Sequence, residues 1–77
     1  MAENTLVVWM SDNGPMYSMH PHGGYSLLRG EKGDTWEGGV RVPGLVWWPG
    51  TIDSGQEPND ILQVSDMFTT AASIAGV

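Results

Sequence analysis

Residues Thr5-Leu6-Val7-Val8-Trp9-Met10 form a continuous apolar run rich in β-branched and aromatic side chains, followed at once by the polar tip Ser11-Asp12-Asn13-Gly14-Pro15. An unbroken apolar run with a sharp polar stop predicts a buried strand of an α/β sheet over residues 5–10. A second such run, Arg41-Val42-Pro43-Gly44-Leu45-Val46-Trp47-Trp48, predicts a strand over 41–48. Pro43 stands at its start, where a missing N–H is tolerated, and Pro49-Gly50 ends it as a turn. Near the end, Met67, Phe68, Ala71, Ala72, Ile74 and Ala75 recur at helical spacing. Ser65-Asp66 predicts the N-cap and Gly76 the C-terminal stop.

Between the strands, residues 14–40 show neither period and hold seven glycines. Loops this long in a folded domain are commonly functional or disordered. Met16, Tyr17, Met19, Tyr25, Leu27, Leu28 and Trp36 make this one too apolar for disorder. It reads as an ordered loop that lines a site. The order is therefore strand, long loop, strand, helix: an α/β fragment. Two strands and one helix cannot close a layer, and the Leu45–Trp48 strand would expose apolar surface by itself. The chain is expected to be part of a larger domain.

Size and charge sharpen this picture. A chain of 77 residues buries only about 60% of its unfolded surface. With no cysteine, neither a disulfide nor a thiolate zinc site can reinforce it. The net charge of −6 argues against nucleic acid and against anionic membranes as partners. No run is long enough to cross a bilayer, and no signal-peptide pattern or Asn-x-Ser/Thr sequon is seen. All three basic residues, Arg29, Lys32 and Arg41, nevertheless fall in one thirteen-residue stretch. That is chance clustering or a local positive spot for an anion.

Candidate chemistry sits at the strand tip and in the loop. In α/β sheets, ligands bind outside the carboxyl ends of strands, where Asp12 and Asn13 stand. A carboxylate and an amide oxygen suit a hard divalent cation, and Gly14-Pro15 breaks the strand so that adjacent side chains can converge. The competing reading is an Asx turn. Lys32, within Gly30-Glu31-Lys32-Gly33, could neutralise an anionic ester, the flanking glycines permitting close approach. Its competing reading is an exposed lysine paired with Glu31 or Asp34. His20 and His22 flank Pro21 as a metal pair or as pocket-lining residues. Glu37-Gly38-Gly39 and Arg41 read as a scaffold turn with pairing charges, and Trp47 and Trp48 as core and interface residues.

Together, the S-D-N-G, G-x-K-G and E-G-G-V-R-x-P segments at Ser11–Gly14, Gly30–Gly33 and Glu37–Pro43, followed by Trp47-Trp48-Pro49-Gly50, resemble the sulfatase family, in particular the arylsulfatases of the alkaline-phosphatase-like superfamily. The likeness covers essentially the whole chain. Thr69 stands where the family often has Pro. The resemblance implies that residues 1–77 are the later part of a large α/β catalytic domain with a central mixed sheet. It implies Asp12 and Asn13 as ligands of an active-site calcium ion, and Lys32 as a catalytic lysine contacting the sulfate of a small sulfate ester or sulfated glycan. It also implies a formylglycine nucleophile made from a C/S-x-P-x-R motif, which this chain lacks, as it lacks the family's amino-terminal aspartates, second lysine and upstream histidines. The isolated chain is therefore expected to be inactive, with the remainder of the domain as its partner. By analogy the compartment is the periplasm, the exterior or the lysosome. A related phosphomonoester or phosphonate hydrolase shares the metal-and-anion logic, and a non-catalytic binding module is the third reading.

Overall fold

The computed structural model describes residues 2–19 and 23–77. After a 3-10 turn at Ala2–Asn4, strand β1 spans Val7–Met10. The loop that follows contains a second 3-10 turn, Tyr17–Met19, and a single-turn helix α1, Glu37–Val40. Strand β2 spans Gly44–Trp47 and helix α2 spans Val64–Ala75. The two strands pair antiparallel in the register Val7–Trp47, Val8–Val46, Trp9–Leu45 and Met10–Gly44. Both strands are thus shorter than the apolar runs that announce them. β1 stops at Met10, where the polar tip begins, and β2 starts just beyond Pro43, which cannot donate to a ladder.

Within these 77 residues the strands stay exposed, as expected of a part of a larger domain. Among the described residues no hydrophobic side chain is buried. A strand is enclosed only when both of its faces are covered, and here β1 has one neighbouring strand and no helix packed closely on the sheet. The pleat divides the sheet into two faces. Val7, Trp9, Leu45 and Trp47 share one of them, all roughly half exposed. Leu6, Val8, Val46 and Trp48 instead line a cleft of about 340 Å³, with Met67, Thr70 and Ile74 of α2 on its other wall. Thr69, at the family's proline position, lies outside that wall and donates through Oγ1 to the Asp66 carbonyl at 3.0 Å.

Helix α2 starts earlier than Ser65-Asp66 predicts. Gln63 is the N-cap residue, and the Asp66 carboxylate reaches back to accept its backbone N–H at 2.7 Å. Asp66 acts from the third helical position, where a carboxylate satisfies an orphan amide and faces the positive end of the helix. Gly76 ends the helix in the left-handed conformation, φ +79°, as expected of a C-terminal glycine.

The accessible surface is 6755 Å² and the radius of gyration 15.2 Å. A close-packed domain of this length would expose about 4,600 Å² and have a radius of about 11.5 Å. Little apolar area has left water, so the hydrophobic contribution to stability is small. The 77-residue chain alone is expected to lose its ellipticity gradually on heating, without a sigmoidal transition. Circular dichroism checks this, and a cooperative melt would contradict it.

Candidate active site

The site is assembled by backbone contacts across the loop. Gly14, directly after the Asp12–Asn13 tip, donates its N–H to the Gly39 carbonyl at 2.9 Å. Gly38 donates to the Arg29 carbonyl at 2.7 Å, and Lys32 to the Pro15 carbonyl at 2.9 Å. At Gly14, Gly38 and Gly39 the backbones approach more closely than any side chain allows. A Cβ on Gly14 would collide with the Gly38 carbonyl. One on Gly38 would lie 2.6 Å from the Arg29 oxygen and 2.7 Å from that of Leu28, and one on Gly39 would lie 2.6 Å from that of Glu31. Gly14, Gly38 and Gly39 are also the buried residues of the described chain.

These contacts carry Asn13 and Lys32 to one cleft. It has a volume of about 870 Å³, and Ser11, Asn13, Tyr25, Leu28, Lys32 and Arg41 are among the residues that line it. Asp12, between two residues of this tip, is exposed and lies outside the lining. Neither side-chain oxygen accepts the backbone N–H that closes an Asx turn, but Asn13 does bond its local backbone. Asn13 uses Nδ2 to donate to its neighbour Gly14's carbonyl at 2.9 Å, which leaves its amide oxygen without a donor among the described residues. The Asp12 carboxylate accepts no hydrogen bond there either. Ser11 Oγ closes the tip by donating to the Asn13 carbonyl at 2.9 Å.

The three basic side chains separate by role. Arg29 lies over the Trp36 ring, 3.7 Å from its centroid. Arg41 pairs with Glu37 at 3.0 Å, the i,i+4 pairing expected of the scaffold turn. Lys32 pairs with neither Glu31 nor Asp34, and among the described residues it has no ion pair or ring contact. Glu31 accepts the Tyr17 N–H at 2.6 Å, and Asp34 accepts the Glu31 N–H at 2.9 Å. Each carboxylate beside Lys32 is engaged elsewhere.

Gly30 and Gly33 have φ of +92° and +97°, a region that side chains disfavour, so the turn itself requires them. His20 and His22 lie outside the described residues. The Glu31 and Tyr17 clamp went unanticipated, since a glutamate fourteen residues from its donor leaves no periodic trace.

Against known families, the whole chain, residues 1–77, matches the sulfatase family model. The chain belongs to the sulfatase family. It is 48% identical over 82 residues to a steryl-sulfatase of Rattus norvegicus, with 99% of this chain and 14% of that protein aligned. It is 43% identical over 77 residues to an arylsulfatase of Hemicentrotus pulcherrimus, with the same coverage. To an N-acetylgalactosamine-6-sulfatase of Homo sapiens it is 41% identical over 80 residues, covering 100% of this chain and 15% of that protein. The chain thus spans about one-seventh of the length of these relatives. No solved structure matches it significantly.

For this sulfatase sequence, the close glycine approach makes a differential prediction. In the full-length protein that carries the chain, Gly38→Ala is expected to cost about 3 kcal/mol, at the upper end for overpacking. Gly55→Ala, where nothing lies within 4 Å and only φ of +76° is at stake, should cost about 1 kcal/mol. Urea unfolding midpoints check the difference; equal losses would contradict the close-approach account.

Proposed function

We propose that these residues form one wall of the active site of a calcium-dependent sulfate ester hydrolase, within a larger alkaline-phosphatase-like catalytic domain. The observation that carries this reading is the uncommitted Lys32 on the same cleft as Asn13, in a chain whose other two cations are engaged. A neutral cleft wall would need no such cation, and the net charge of −6 makes an unneutralised lysine there more pointed.

The donor set fits a hard cation. Asp12 and Asn13 are neighbours in the chain, their side-chain oxygens accept no hydrogen bond among the described residues, and no basic side chain pairs with them, although Asp12 lies outside the cleft that Asn13 lines. Calcium takes six to eight oxygen ligands. Two side-chain oxygens are too few for such a site, so further ligands would join them. Bound there, calcium would withdraw electron density from the sulfate group. A formylglycine elsewhere in the protein would supply the nucleophile. The residues of this chain then have distinct tasks. Lys32 would hold a sulfate oxygen through its ammonium and stabilise negative charge as the ester bond to sulfur breaks. The Ser11–Asn13 hydrogen bond and the Gly14–Gly39 bond would fix the tip that presents the two oxygens. The steryl, aryl and N-acetylgalactosamine-6-sulfate names of the relatives leave a sulfate ester as the common substrate class.

The full-length protein is expected to release inorganic sulfate from at least one of a panel of aryl, steroid and carbohydrate sulfates, and calcium chelation should stop it. Release of phosphate from phosphomonoesters with none of sulfate would overturn the reading. Lys32→Ala should lower kcat/KM by about a hundredfold, the scale of losing one stabiliser of developing charge. Asp12→Ala should lower bound calcium and activity together. Full calcium content in that variant, measured by atomic emission, would refute the ligand assignment.

A further inference from the structure

Lys32 is held by more than its own backbone. Its neighbour Glu31 reaches across fourteen positions to accept the Tyr17 N–H at 2.6 Å, in a partly buried hydrogen bond. Lys32 donates its own N–H to Pro15, two residues before Tyr17. The two bonds run side by side, so the Lys32 segment is clamped at adjacent residues to the chain that leaves the Asp12–Asn13 tip. Both sides of the clamp are themselves braced. Asp34 accepts the Glu31 N–H and donates its own N–H to the Glu31 carbonyl, each at 2.9 Å. The Tyr17 hydroxyl donates to the Ser26 carbonyl at 2.9 Å and accepts the Ser26 N–H at 3.1 Å.

We propose that Glu31 is a positioning residue for Lys32: its carboxylate ties the lysine's turn to Tyr17. The proposal rests on Lys32 acting on the sulfate group. A charge-assisted bond to a backbone amide is short and strong. Glu31 is not among the residues that line the cleft, so its effect would pass through Lys32.

A double-mutant cycle on the full-length protein tests this, with sulfate release as the assay. Glu31→Ala is expected to lower kcat/KM about tenfold. Glu31→Gln keeps an oxygen acceptor for the Tyr17 amide, and it should recover most of that loss. In the Lys32→Ala background, Glu31→Ala should cost less than twofold, because the group it positions is gone. Bound calcium should be the same in all four proteins of the cycle. If Glu31→Ala costs the same tenfold with or without Lys32, the role is general and the proposal fails while the Lys32 reading stands. Failure of Glu31→Gln to recover activity, or a wild-type value for Glu31→Ala, also overturns it. An unchanged kcat/KM in Lys32→Ala alone would remove the underlying reading first, and this inference with it.

Discussion

The arrangement depends on three places where backbone meets backbone with no side chain between. Gly14 lies against Gly38, Gly38 against the carbonyls of residues 28–30, and Gly39 against those of Glu31 and Asp34. Without hydrophobic burial to hold it, the loop keeps its shape through these contacts and the hydrogen bonds they permit. Gly14 to Gly39 and Gly38 to Arg29 are both under 3 Å. Peptide groups this close exclude water from their own bonds, and the three glycines are the buried residues of an otherwise exposed chain. Asn13 is one residue from the first contact, and Lys32 lies between segments that touch the other two. The S-D-N-G and E-G-G motifs are therefore two halves of one joint, 24 positions apart, with the lysine turn folded against it.

Charge is sorted on this frame in a way that net composition hides. Nine acidic residues outnumber three basic ones, yet the carboxylates nearest Lys32 face backbone amides. Arg29 spends its charge on an aromatic ring and Arg41 on Glu37. Exposed pairs such as Glu37–Arg41 add only about 0.3–0.5 kcal/mol. The value of these contacts lies in direction: they settle which cation remains free to meet a ligand. The sheet contributes differently. It fixes where β1 ends, and so where the oxygens of Asp12 and Asn13 begin, while its Val7, Trp9, Leu45 and Trp47 face stays open.

Much of this was legible in the residues. Two strands, one helix with a glycine stop, an ordered loop and the Glu37–Arg41 pairing all follow from local pattern. The S-D-N-G, G-x-K-G and E-G-G-V-R-x-P order was enough to reach the family. What covers the strands was not legible, because the apolar period reports what a strand can bury and not what covers it. The start of α2 was misplaced because Asp66 acts on Gln63 from three residues inside the helix. The glycine joint and the Glu31–Tyr17 bond are non-local, so neither leaves a period in the chain. For Gly30 and Gly33, the positive φ that the turn requires was likewise not legible.

The most direct test is a crystal structure of the full-length protein with calcium and sulfate bound. The account predicts a calcium ion about 2.3–2.6 Å from a carboxylate oxygen of Asp12 and the amide oxygen of Asn13. It also predicts the Lys32 ammonium about 2.8 Å from a sulfate oxygen in the same cleft. Calcium coordinated by other residues, or sulfate bound away from Lys32, would contradict it.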